Sequence, residues 1–148
     1  MPHFGLMDES AMRKDEAALL RAKLHLRGGR RRMRQKKYAA AIATLYDAVL
    51  SGIKWYILSF KGESAVQADE GIYLRTEQEL FNSLVQAGVL DGIKEFENLD
   101  GLVDQALTGK VPPFDEDQVV TQVERWLTQL GVMPFNEEAL PPEDPNTY

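Results

Sequence analysis

The residues with the clearest potential for chemistry form a basic block, RGGRRRMRQKK, at positions 27–37, which holds seven Lys and Arg side chains. Four of its arginines recur at i, i+3, i+4 and i+7, the spacing that places side chains on one face of a helix. Such a face can neutralise several phosphates and would bind nucleic acid in a salt-dependent manner. The candidate contacts for nucleic acid or for a protein partner are Arg27, Arg30, Arg31, Arg34 and Lys37.

The charge is distributed unevenly along the 148 residues, whose formal net charge is -6. Residues 1–60 hold 12 Lys and Arg against 5 Asp and Glu, whereas residues 61–148 hold 5 against 18. This asymmetry indicates either an anionic partner for the first half or attraction between the halves, within one chain or across a dimer. Pairing of the halves needs no ligand and is the preferred interpretation. A solvated surface ranks before a nucleic-acid site, because the first helix lacks aromatic side chains for base stacking.

Residues suited to catalysis or metal binding are few. The chain has no cysteine and only two histidines, His3 and His25, and no His-x-x-x-His or Glu-x-x-His spacing occurs, so a transition-metal site is not expected. His25 has no acidic residue three or four positions later that would orient it as a base. The acidic run at positions 115–117 is interpreted as a helix N-terminus, where negative charge is favourable. The sequence predicts no catalytic residue and no cofactor, and a hydrolase built from carboxylates stays an alternative.

Residues 38–60 form the most apolar segment, with 23 residues and two charges, Asp47 and Lys54. A helix of this length is long enough to span a membrane, but the two charges lie seven residues apart and fall on one thin polar stripe. A helix that is apolar nearly all round is typical of the centre of a bundle. We therefore expect a core helix and no membrane span. The absence of cysteine and of an apolar leader predicts a cytoplasmic protein.

The hydrophobic periodicity predicts that the chain is helical throughout. A helix over residues 8–34 and a second over residues 38–60 are joined by a three-residue turn, which makes them an antiparallel hairpin. Gly28 and Gly29 would weaken the first helix unless they permit close packing, which we expect. Small residues of the second helix form a groove in which another helix can approach closely: Ala41, Ala48 and Gly52.

Three further helices are predicted after a polar, glycine-containing loop. One begins at Thr76, where Thr76 and Glu79 fit a capping box, and the others cover about residues 94–107 and 115–130. The predicted fold is all-α, an antiparallel up-and-down bundle of four to five helices. Residues 1–131 are predicted to form a single domain, and the acidic, proline-rich residues 132–148 a tail that is extended along the surface or disordered.

The hairpin resembles one tetratricopeptide repeat. Gly29, Ala41 and Ala48 stand where that motif places its glycine and two alanines, and Tyr38 opens the second helix as an aromatic residue often does there. Arg32 departs from the motif, in which a tyrosine is usual at this position. A solenoid needs a recurrence of about 34 residues to bury its faces, and the following stretch shows no second copy.

A resemblance that covers more of the chain, about residues 15–107, is to the HEPN superfamily of small helical bundles. It lies in the amphipathic first helix, the turn before Tyr38, the long alanine-rich helix ending in FKG at 60–62, and the later segment TEQELFNSLVQAG. The resemblance implies a four- or five-helix bundle that commonly dimerises. It also implies a nucleotide- or RNA-associated partner protein, or a metal-independent ribonuclease.

The ribonuclease members of that superfamily carry an arginine followed, after about four to six residues, by a histidine. Arg75 matches the arginine, but no histidine occurs after His25. The resemblance therefore implies that this activity is absent. An ordinary exposed arginine is the preferred interpretation of Arg75, and a remnant able to contact phosphate is the alternative.

The predicted function is a non-catalytic, HEPN-like helical binding module that acts through a protein partner or a nucleotide, as a cytoplasmic homodimer. Two alternatives stay open. One is RNA binding through the basic face of residues 27–37, and the other is hydrolysis by carboxylates that the sequence does not identify.

Overall fold

The computed structural model describes residues 12–59 and 76–147. This part of the chain folds into α-helices and short 3-10 turns and contains no strand, so the predicted all-α bundle is confirmed. The helices are α1 (Lys14–Arg34), α2 (Tyr38–Ser59), α3 (Glu77–Gln86), α4 (Ile93–Leu107) and α5 (Glu116–Leu130). The predicted loop after residue 60, Arg75 and the predicted first turns of the N-terminal helix at residues 8–11 lie outside the described residues.

The predicted hairpin of α1 and α2 forms, and these two helices share the most extensive helix–helix contact in the described structure. Its turn is three residues long and includes Lys36 in the left-handed region, at φ 63°. Gly29 lets the two helices approach closely, because a Cβ at this position would lie 2.6 Å from Cδ2 of Leu45. The expectation of close packing at Gly29 is therefore confirmed.

Helix α2 is the central element, since it packs against α1, α3, α4 and α5. Its small residues Ala41 and Ala48 are fully buried. At Gly52 the groove is filled from α5, because a Cβ there would lie 3.0 Å from Leu127 and 3.1 Å from Leu130. The small-residue face thus lets neighbouring helices pack tightly on α2.

An aromatic cluster joins α3, α4 and α5 to this centre. Phe81 and Phe96 stack at 4.3 Å between ring centroids, and Trp126 meets both rings edge-on at 5.2 and 5.9 Å. Tyr46 of α2 stacks on Phe96 at 5.5 Å. Trp126 is fully buried, and its Nε1 donates a hydrogen bond of 2.8 Å to the carbonyl of Asp91, which satisfies its one polar group.

Helix α2 is long and apolar enough to cross a membrane by length and composition alone, and 61% of its most apolar window is buried inside the protein. A buried core helix meets the same criterion. This property by itself assigns no compartment.

The chain after α5 lies along α1, and residues 132–147 are called the C-terminal arm below. Val132 is buried at its start, and the ring of Phe135 lies under Nζ of Lys23, 5.6 Å from the ring centroid. Two 3-10 turns follow, Glu137–Ala139 and Pro145–Thr147. The C-terminal arm therefore begins against the core at Val132 and contacts the first helix at Phe135.

Candidate binding sites

The basic face of α1 meets carboxylates from the second half of the chain. Arg30 pairs with Glu124 of α5, and its Nη1 lies 2.7 Å from Oε2 of Glu137 in the C-terminal arm. Nε of Arg31 lies 3.1 Å from both carboxylate oxygens of Glu143. The Arg31 and Glu143 side chains are only 11% and 12% exposed, so this pair is largely shielded from solvent.

The other residues predicted for this face are placed differently. Arg34 and Lys37 are exposed. Arg27 is half-buried, and its Nε and Nη2 atoms are buried with no hydrogen-bond partner in the described part of the chain. Arg75 lies outside the described residues. The fold therefore brings Arg30 and Arg31 to acidic partners and leaves Arg34 and Lys37 at the surface.

The turn between α1 and α2 is tied to the start of α5. Nζ of Lys36 lies 3.2 Å from one carboxylate oxygen of Glu116, and the Tyr38 hydroxyl donates a 2.9 Å hydrogen bond to the other. The bond from Tyr38, together with Lys36, lowers the pKa of Glu116. Asp115 accepts a hydrogen bond of 3.0 Å from the backbone N–H of Gln118, which confirms the helix N-terminus predicted for this acidic run.

A charged cluster inside the α1–α2 hairpin was not predicted. Nδ1 of His25 contacts Oδ2 of Asp47, and Nε of Arg21 lies 3.1 Å from the same oxygen. Burial alone would raise the pKa of Asp47, but the hydrogen bonds and charges of His25 and Arg21 outweigh it and hold that pKa below its ordinary value. Spacing within one helix could not reveal this partner, because Asp47 lies on α2. His25 is only 5% exposed, which restricts access to its ring and indicates a structural role.

A cavity of about 240 Å³ lies between α4 and α5. One side is apolar, and the other carries side-chain amides and two carboxylates. The apolar lining consists of Leu99, Leu102, Phe114, Val119 and Trp126. The polar lining consists of Glu95, Asn98, Asp115, Gln118 and Gln122.

The charged side chains that line this cavity are all negative. Glu95 and Asp115 are both exposed carboxylates, and within the described residues neither forms an ion pair. No lysine or arginine is among the residues that line the cavity. Nε2 of Gln122 is buried and, across residues 12–59 and 76–147, has no hydrogen-bond partner. The cavity therefore offers negative charge, acceptor oxygens and one unsatisfied donor.

Glycine at position 92 leaves room at the end of this cavity. Its φ is 88°, a conformation that favours glycine, and a Cβ would lie 3.1 Å from Oε1 of Glu95 and 3.4 Å from Nε1 of Trp126. The sequence carries no motif for the cavity. Its lining comes from two amphipathic helices and the segment between them, and each of these residue types is ordinary on a partly exposed helix.

Among the described residues, no group of three or more His, Cys, Asp or Glu side chains is arranged to hold a metal ion. A scan against protein-family models, a search of curated proteins and a search of solved structures each found no match to this chain. The resemblances to the HEPN superfamily and to a tetratricopeptide repeat therefore stay predictions.

Proposed function

We propose that this protein is a non-catalytic helical binding module that holds a small ligand between α4 and α5. The observation that carries the proposal is the cavity of about 240 Å³, where apolar side chains face a group of amides and carboxylates. Ligand sites in proteins combine a concave apolar surface with a few polar groups that fix orientation. The cavity has this composition.

The sequence predicts a protein partner or a nucleotide as the bound species. A nucleotide draws no support from the cavity, since its phosphates would lie beside Glu95 and Asp115 with no lining cation to offset the repulsion. A protein partner is compatible with the exposed end of α4, where Leu107 is 79% exposed. The cavity favours a small molecule over either.

The proposal is tested by screening a fragment library against the isotope-labelled protein by NMR. Fragments that bind are expected to shift the backbone signals of the cavity residues. The Leu102→Phe substitution narrows the cavity and should weaken the binding of these fragments. Leu107→Phe is the matched control, because it makes the same change on the same helix outside the lining. Hits that shift only other regions, or that bind both variants equally, would contradict the proposal.

The finer aspects of the prediction belong to the same proposal: a HEPN-like arrangement, a homodimer and a cytoplasmic location. Exposed Leu107 is an apolar side chain that a dimer contact would cover, and the cysteine-free composition suits a reducing compartment. Light scattering coupled to gel filtration measures the mass in solution. A mass of one chain over a wide concentration range would exclude the homodimer.

RNA binding through the basic face is the second candidate, supported by the exposure of Arg34 and Lys37. The ion pairs of Arg30 and Arg31 oppose it, because a phosphate would have to replace carboxylates already in contact. Fluorescence anisotropy with labelled RNA, titrated over salt, distinguishes the two views for the wild type and Arg34→Glu/Lys37→Glu. A steep salt dependence that this variant loses, and that Lys94→Glu/Lys110→Glu keeps, would favour RNA binding.

A further inference from the structure

We infer that the cavity between α4 and α5 takes an organic cation, a planar apolar group that carries an ammonium or amidinium and one hydrogen-bond acceptor. This inference rests on the proposed function and adds the chemical class of the ligand. Three properties of the cavity lead to it: its charge, its shape and its one unsatisfied donor.

The negative charge of the cavity lining favours a positively charged ligand. Two lining residues, Glu95 and Asp115, are carboxylates, and no lining residue is basic. Two other carboxylates of the described chain that face α1 or its following turn have cations beside them: Glu116 has Lys36, and Glu143 has Arg31. A bound cation would supply the same complement in the cavity, and its hydrogen bonds to a carboxylate would be charge-assisted.

The apolar side of the cavity favours a ligand with an apolar ring. Phe114 and Trp126 contribute aromatic surface, and Leu99 and Leu102 contribute aliphatic surface. An apolar cavity of about 150 Å³ accommodates benzene, so the volume of about 240 Å³ admits a ring with a polar substituent. Aromatic side chains also favour cations electrostatically through the faces of their rings.

The amide of Gln122 adds the requirement for an acceptor. Its Nε2 atom is buried without a hydrogen-bond partner in the described residues, and a buried donor left in that state is unfavourable. The neighbouring polar lining residues Asn98 and Gln118 can each donate or accept. A ligand hydroxyl or carbonyl beside the cation would satisfy Gln122 once its amide turns from its buried position toward the cavity.

The experiment compares three probes of one shape and different charge: benzamidine, benzamide and benzoate. NMR titration of the full chain is expected to show that benzamidine binds at least about tenfold more tightly than benzamide, the gain from one charge-assisted bond, and that benzoate does not bind. The shifted signals should be those of the cavity residues.

Glu95→Gln is expected to remove most of the preference for benzamidine while leaving the binding of benzamide unchanged. The matched control is Glu97→Gln, an exposed carboxylate two positions along α4 that does not line the cavity, and it should keep the preference. Asp115→Asn is the second variant, because asparagine still caps α5. Circular dichroism checks that each variant is folded.

The possible outcomes separate this inference from the proposed function. Equal binding of benzamidine and benzamide in the cavity would overturn the cation class and leave a ligand site. Preference for benzamidine that is equal in Glu95→Gln and Glu97→Gln would place the cation elsewhere and overturn the inference. A failure of every probe, together with a fragment screen without hits in the cavity, would overturn both.

Discussion

Asp47 is the carboxylate at the centre of the charged cluster within the hairpin. It lies on the mainly apolar helix α2, and its Oδ2 atom is contacted by His25 and Arg21, with the Ser51 hydroxyl at 3.5 Å. Its pKa is lowered because those hydrogen bonds and charges outweigh the effect of burial. The carboxylate is therefore stabilised in the folded protein more than in the unfolded chain.

Asp47→Asn is expected to lower the free energy of unfolding at pH 7 by about 1–2 kcal/mol, since the hydrogen bonds to a charged group are lost and the side chain is 34% exposed. A carboxyl with a lowered folded pKa contributes stability above its unfolded pKa and loses it as the pH falls through the folded value. The difference in the free energy of unfolding between wild type and Asp47→Asn should thus become smaller below about pH 4.

Urea denaturation of both proteins between neutral and acidic pH measures this effect. Asp104→Asn, a change at an exposed carboxylate of α4, is the control and should leave the stability nearly unchanged at every pH. A loss for Asp47→Asn that is as large in acid as at pH 7 would show that the ionised carboxylate is not its source.

The sequence predicts contacts that are local and misses those between distant residues. The capping box at the start of α3 was predicted from spacing alone, and it forms: Oγ1 of Thr76 accepts from the N–H of Glu79 at 3.1 Å, and Oε1 of Glu79 accepts from the N–H of Thr76 at 2.8 Å. The pair of His25 and Asp47 joins two helices, so its partners could be matched only once the register of the hairpin was known.

At the scale of the helices, glycine has opposite effects on α1 and α4. Gly29 of α1 lies against Leu45, where an added Cβ would be 2.6 Å from Cδ2 and 3.3 Å from the backbone nitrogen. Gly101 of α4 is exposed and would place a Cβ in open space. The sequence predicted the packing role of Gly29, whereas the open space beside Gly101 is known only from the structure.

Gly29→Ala is expected to destabilise the protein by about 1–3 kcal/mol, because the added methyl group forces α1 and α2 apart or displaces Leu45. Gly101→Ala is expected to stabilise it by up to about 1 kcal/mol, since alanine is the better helix former and meets no neighbour. Thermal and urea unfolding measure the change in stability of each variant relative to wild type. A change of the same sign in both variants would contradict the described packing of the hairpin.

The bundle and its order of helices were predictable because each helix has its own period and stop signals. The cavity between α4 and α5 was not, since it depends on how these two helices are placed beside each other on α2. Leu99 is buried and Leu102 is partly buried, and only their packed positions make them part of a cavity. Sequence periodicity identifies the buried face of a helix but not the gaps left beside it.

At the scale of the whole molecule, opposite charges join the two ends of the described chain. Arg30 and Arg31 of the first helix contact Glu137 and Glu143 of the C-terminal arm. The uneven distribution of charge in the sequence predicted attraction between the halves as one of its interpretations. Which carboxylates face which arginines depends on the path of the arm, and neither charge counts nor periodicity specify that path.

Glu137→Gln/Glu143→Gln is expected to loosen the C-terminal arm without unfolding the helices, because the ion pairs are lost while Val132 and Phe135 keep their packing. Hydrogen exchange over residues 133–147 should become several-fold faster, and added salt should narrow the difference from wild type by screening the pairs. Glu138→Gln, at an exposed neighbour outside these pairs, is the control. Unchanged exchange in the double variant would show that packing alone holds the arm.

The same ion pairs can form only late in synthesis, because each carboxylate lies far along the chain from its arginine partner. Glu124, Glu137 and Glu143 follow their arginine partners by 94, 107 and 112 residues, and translation proceeds from the N-terminus. The arginine face of the nascent first helix therefore lacks these carboxylate partners until residues 124–143 have been synthesised. A chain terminated before residue 137 would keep the pair of Arg30 with Glu124 but lack the carboxylates of Glu137 and Glu143, so the C-terminal arm completes the neutralisation of this arginine face.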